Sequence, residues 1–227
     1  MTDSTPIAIL TAALRRHAPA MLLVAAAAAL GVSGWGYWSL WQSKQAPSAA
    51  NDEFSSLITL PEPKPLAEFI LVDDAKNVFD LKSLDARWSF IFFGFMYCPD
   101  ICPTTLYDLS HVKREIVARG VPEEDLQFVF VSVDPARDKA EQINKYVRYF
   151  DPSFLGITGS IGQLTNLTRQ LGAPFRLEQE TAENVYDVTH SSAVYLVDPL
   201  GQFAGVINPP LAATMVADEF ARLFFDT

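Results

Sequence analysis

The chain has 227 residues, 49% of them hydrophobic, and carries 17 Lys and Arg against 27 Asp and Glu, a formal net charge of -10. Nucleic-acid binders present a basic face, so that class is excluded; an acidic surface suits solubility or a partner with a basic face. Cysteine is scarce, and Cys98 and Cys102 are the only two.

Residues 1–17 close on Arg15-Arg16-His17, and Ala18 to Ser43 then runs without a charge until Lys44. About 20 apolar residues span a bilayer, so 18–43 is expected to be a single transmembrane helix. The positive charge ahead of it puts 1–17 in the cytoplasm and everything after it outside. Trp35, Tyr37, Trp38 and Trp41 then form an aromatic belt at the outer interface. A cleaved signal peptide is the alternative, with Ser48-Ala49-Ala50 as the cleavage site, but the apolar run is longer than a usual signal core. From Lys44 to about residue 64 the chain is proline-rich and ends Leu-Pro-Glu-Pro-Lys-Pro. It is expected to be an extended, semi-rigid linker.

Residues 65–227 are enough for one core, and from Asn51 onward the charge balance is 14 basic against 26 acidic residues, net -12. A strand pair, Phe69 to Val72 and Asn77 to Asp80, leads to an apolar strand, Trp88 to Phe95. A helix from about Pro103 to Arg119, a strand Gln127 to Val133 and a helix from about Asp138 to Phe150 follow. A short strand ends near Thr158, and Ser160 opens a helix that Gly172 stops. Phe175 to Thr189 is polar and ambiguous in pattern, with a hairpin as one reading. Strands Ser192 to Val197 and Phe203 to Ile207 flank Asp198-Pro199-Leu200-Gly201, and a closing helix follows Pro209-Pro210. The pattern describes an α/β fold with a mixed sheet covered by helices on both faces. Active groups in such folds sit at the carboxyl ends of the central parallel strands, where Cys98 and Asp134 fall.

Cys98-Pro-Asp-Ile-Cys102-Pro sets two thiols about one helical turn apart at the start of a helix, with Pro103 suited to its first turn. Such a pair serves one metal ion or one disulfide, and the helix N-terminus is expected to favour thiolate. Thiolates are soft ligands that select Cu(I) or zinc. Of the three histidines, His17 lies before the anchor and His111 falls in mid-helix. His190 stands at the start of a strand expected beside that of Cys98, and completes a set of two sulfurs and one imidazole. Three donors suit Cu(I), whereas structural zinc asks for a fourth.

Phe92 to Leu106, Val131 to Asp138, and His190 followed by Ala193-Val-Tyr-Leu-Val-Asp-Pro-Leu-Gly201 together closely resemble the Sco/SenC proteins, with the resemblance running from about Pro65 to the C-terminus. It implies a thioredoxin-like domain tethered on the periplasmic side of a bacterial inner membrane. The domain would bind copper, as Cu(I) or Cu(II), received from a periplasmic donor. It would serve assembly of the binuclear copper centre of cytochrome c oxidase subunit II. Cys98, Cys102 and His190 match the family's ligands and Asp134 its aspartate, for which helix capping and turn formation are the plainer role. Met96-Tyr97 departs from the Thr-His of many members. A copper chaperone without turnover is the leading expectation. A thiol-disulfide oxidoreductase using Cys98 and Cys102, or a redox sensor, is the alternative. A peroxidase ranks last, because Met96 stands where a peroxide-activating Thr would be needed.

Overall fold

A computed structural model describes residues 56–226, apart from positions 74, 180 and 182–185. In chain order the elements are β1 (Leu57–Pro65), β2 (Ile70–Val72), β3 (Val78–Asp80), β4 (Trp88–Gly94), α1 (Ile101–Ala118), β5 (Leu126–Ser132), α2 (Ala140–Phe150) and β6 (Leu155–Ile157). There follow α3 (Ile161–Leu171), β7 (Arg176–Leu177), β8 (Val188–Thr189), β9 (Val194–Val197), β10 (Gln202–Ile207) and α4 (Ala213–Asp226).

Strands β4 and β5 are apolar along most of their length and buried at every position, which requires cover on both faces of the sheet. They pair in parallel, with Phe90 opposite Phe128 and Phe92 opposite Phe130. Stacking of Phe90 on Phe128 at 4.5 Å, and of Phe128 on Phe154 at 5.3 Å, carries the aromatic core across the sheet. The six-stranded sheet runs β1-β10-β9-β4-β5-β6; β4 to β6 are parallel, while β9, β10 and β1 join antiparallel. α1 packs on α4 and on α2, which also lies on β6. The expected mixed sheet is therefore present. Ser160 caps α3 by accepting the Gln163 N–H at 3.4 Å, and Gly172 ends it at φ 69°, a left-handed conformation that glycine adopts without a Cβ penalty.

The linker expectation is corrected at its C-terminal end: residues 57–65 form the edge strand β1, paired with β10 through Leu57–Ile207, Thr59–Gly205 and Pro65–Gln202. Prolines 61, 63 and 65 look like an extended spacer in sequence, but a sheet edge tolerates them because one side of that strand donates no ladder hydrogen bonds. The register shift between Thr59 and Lys64 accommodates them. The expected anchor at 18–43, the segment 1–17 and the linker up to residue 55 lie outside the described residues. Among the described residues no helix is long and apolar enough to cross a membrane.

Strand register gathers three pieces of chain at one end of the sheet. Gly94 pairs with Ser132, so the loops after β4 and β5 leave the sheet side by side. Phe92 pairs with Val194, which brings the segment entering β9 to that same end.

Candidate metal centre

The chain turns out of β4 through Phe95 to Asp100, with the Cys98 N–H donating to the Phe95 carbonyl at 3.3 Å. α1 begins at Ile101, so Cys102 sits in its first turn. His190 follows β8 directly. The Sγ atoms of both cysteines and a ring nitrogen of His190 all lie within 4.8 Å of one another, and Cys102 Sγ is 3.5 Å from His190 Nε2. This is the trio expected from the sequence, and both cysteines are free thiols. Cys102 is 0% exposed and Cys98 9%, so Cys98 is the more accessible of the two sulfurs.

The imidazole is set by its neighbours. Nδ1 lies 2.8 Å from the Ser191 carbonyl, which can only accept, so Nδ1 carries the proton and Nε2 turns its lone pair toward the sulfurs. Phe92 and Phe95 meet the ring edge-on at 6.1 and 5.7 Å. Burial holds the His190 pKa below its usual value, opposed by hydrogen bonds to the Ser191 and Phe93 backbone, and favours the neutral ring that can ligate.

The expectation of a thiolate at the helix N-terminus is corrected for Cys102. Burial pushes its thiol well above the ordinary range, outweighing a bond to the Phe95 backbone that acts the other way, and the neighbouring Cys98 and Asp138 add to the elevation. A helix terminus is worth up to about 2 kcal/mol, whereas full burial moves a pKa by about 3–5 units, so desolvation wins. A soft cation seated between the three donors reverses this, because a coordinating thiol is deprotonated outright. Two sulfurs and an imidazole suit such a cation, and no carboxylate joins the trio among the described residues.

The residues that support the trio are mostly silent in sequence. A Cβ at Gly94 would stand 2.7 Å from Cys102 Sγ and 2.7 Å from the Phe130 ring, so only glycine leaves room for the sulfur. The Phe-Gly-Phe run is the signal that could have found it. Asp138, 1% exposed, accepts the Met96 N–H at 2.8 Å and the Ser132 hydroxyl at 2.6 Å, tying the cysteine loop to the β5 loop. Asp134 is fully buried and caps no helix; it forms an ion pair with Arg137 and accepts the Tyr186 hydroxyl at 2.6 Å. Tyr97, in the Met96-Tyr97 departure, is exposed and borders a cleft of about 600 Å³ with Arg137, Tyr186 and Asp187. Met96 packs against the core. His111 sits on α1, where its ring centroid is 4.5 Å from that of Tyr107, away from the trio.

Comparison with known proteins agrees with this geometry. The SCO1/SenC family profile matches residues 60–224. A Stutzerimonas stutzeri protein named for copper binding is 38% identical over 170 residues, 73% of this chain and 82% of its own length. The human mitochondrial SCO2 homolog is 33% identical over 156 residues, 68% of this chain but 58% of its own length. Among solved structures, copper-bound yeast Sco1 superimposes with a TM-score of 0.67 at 31% identity, covering 73% of this chain and 91% of that one. Copper-bound Arabidopsis thaliana ScoI gives 0.65 at 30% identity, covering 71% and 98%.

Proposed function

This chain belongs to the SCO1/SenC family, and from that premise we propose that it is a membrane-anchored carrier of Cu(I) for the binuclear copper centre of cytochrome c oxidase subunit II. Cys98, Cys102 and His190 hold the ion. The observation that carries the reading is the convergence of two free thiols and one neutral imidazole nitrogen within 4.8 Å. Cys98, the more exposed sulfur, is where the ion enters from a periplasmic donor and leaves toward the target, while Cys102 and His190 hold it from the buried side.

A second reading is favoured by the free dithiol itself. Cys98 would attack a disulfide of the apo target, and Cys102 would then resolve the mixed disulfide, leaving the target reduced and this chain oxidised until an electron donor restores it. A redox-sensing role would use the same pair. His190 separates the readings, because it ligates metal but takes no part in disulfide exchange. In cells lacking the wild-type chain and grown at low copper, His190→Ala is expected to fail to restore oxidase activity. Full restoration would replace copper delivery with thiol reduction.

The anchor at 18–43 is part of this proposal, with the N-terminus in the cytoplasm and the folded part in the periplasm, motivated by Arg15-Arg16 and the aromatic belt. A reporter fused after Thr227 is expected to be active only outside the cytoplasm, with the protein recovered in the membrane fraction. Recovery of a soluble product beginning near Asn51 would remove the anchor and leave the copper reading standing.

A further inference from the structure

The three donors come from two separate pieces of chain, the cysteine turn after β4 and the segment leaving β8, and a third piece joins them. In that third piece, Asp134 to Asp138, the buried Asp134 carboxylate holds Arg137. Arg137 then reaches the hairpin that delivers His190: its Nη1 donates to the Tyr186 carbonyl at 2.8 Å, and its guanidinium lies 3.8 Å from the Tyr186 ring centre. The Tyr186 hydroxyl returns to the other oxygen of Asp134 at 2.6 Å. On its remaining side the guanidinium faces the rings of Tyr97 at 5.4 Å and Phe95 at 5.7 Å, which belong to the cysteine turn. Phe95 itself meets the His190 ring edge-on at 5.7 Å.

We propose that Arg137 and Tyr186, closed on Asp134, are positioning residues that hold the β7–β8 hairpin at the distance where His190 Nε2 reaches the sulfurs. The inference rests on the three-donor reading. Among the described residues β7 and β8 pair as Arg176 with Thr189 and Leu177 with Val188, extended by the Glu178 N–H to the Asp187 carbonyl and the Thr189 hydroxyl to Glu178, and a two-stranded ladder this short is marginal without support from the rest of the fold. Tyr186, four residues before His190, is fastened three ways: by its carbonyl, its ring and its hydroxyl. Arg137 suits the task because its flat guanidinium stacks and donates at once, which a lysine ammonium does not.

The test measures Cu(I) affinity of the full-length chain by competition with a chromophoric Cu(I) chelator, alongside the dithiol reduction potential. Tyr186→Ala and Arg137→Lys are each expected to weaken Cu(I) binding by about 10-fold or more, the usual cost of losing support behind a ligand, with the potential unchanged. Tyr186→Phe keeps the ring on Arg137 and loses only the hydroxyl bond, so it should fold even where Tyr186→Ala does not, and show a smaller loss. The discriminating variant is Tyr186→Ala combined with His190→Ala, expected to bind no more weakly than His190→Ala alone, because the clamp acts only through that histidine. Losses that add in the double variant would mean general destabilisation and overturn the inference. Tyr186 and Arg137 variants that bind like wild type, beside a weakened His190→Ala, would sink the clamp alone. If His190→Ala itself binds like wild type, the three-donor reading falls and the clamp with it.

Discussion

Oxidation of Cys98 and Cys102 to a disulfide is expected to lower the Cu(I) affinity of the full-length chain by at least about a thousandfold. Loss of outer support alone costs about 10- to 100-fold per partner, and here two of three donors are removed, since sulfurs bonded to each other at about 2.05 Å no longer act as thiolates. The two atoms already lie within 4.8 Å, so local rearrangement of the turn after Phe95 suffices. Chelator competition on the oxidised and fully reduced forms measures the difference. Equal loading of the two would remove both cysteines from the ligand set.

The second large effect is on pH. In the free protein the Cys102 thiol is raised by burial and keeps its proton at neutral pH, whereas His190 is lowered and has already lost its own. Metal binding must therefore expel at least the Cys102 proton, and the apparent affinity rises with pH by about tenfold per unit for each proton displaced. A raised thiol pKa puts this slope across the whole range from about pH 6 to 8, with weaker binding toward acid. Cu(I) affinity that stays flat across that range, once the chelator's own protonation is corrected for, would mean that Cys102 is a thiolate before the metal arrives.

The order of strands and helices can be read from the chain because periodicity and capping agree at each step, as at Ser160 and Gly172. The trio is legible because its chemistry is rare in this chain: two cysteines and three histidines leave few combinations. Residues with two competing local readings are harder. Leu-Pro-Glu-Pro-Lys-Pro has the composition of a spacer, and only β10 lying alongside makes it a strand. Asp134 looks like a helix cap, yet its partners are Arg137 and a tyrosine 52 residues away. Nothing local announces a contact of that separation. At Cys102 the difference is one of magnitude, because a helix N-terminus is visible in sequence and the depth of burial is not.

The edge strand β1 has a consequence for the behaviour of many copies together. An open sheet rim is a template on which another chain can add a strand. In the nine residues of β1, three prolines remove three amide donors, and the opposite rim, β6, is only three residues long. Among the described residues neither border offers a long ladder, which disfavours rim-to-rim joining of the folded part into fibrous aggregates, and the chain's net negative charge adds repulsion between copies.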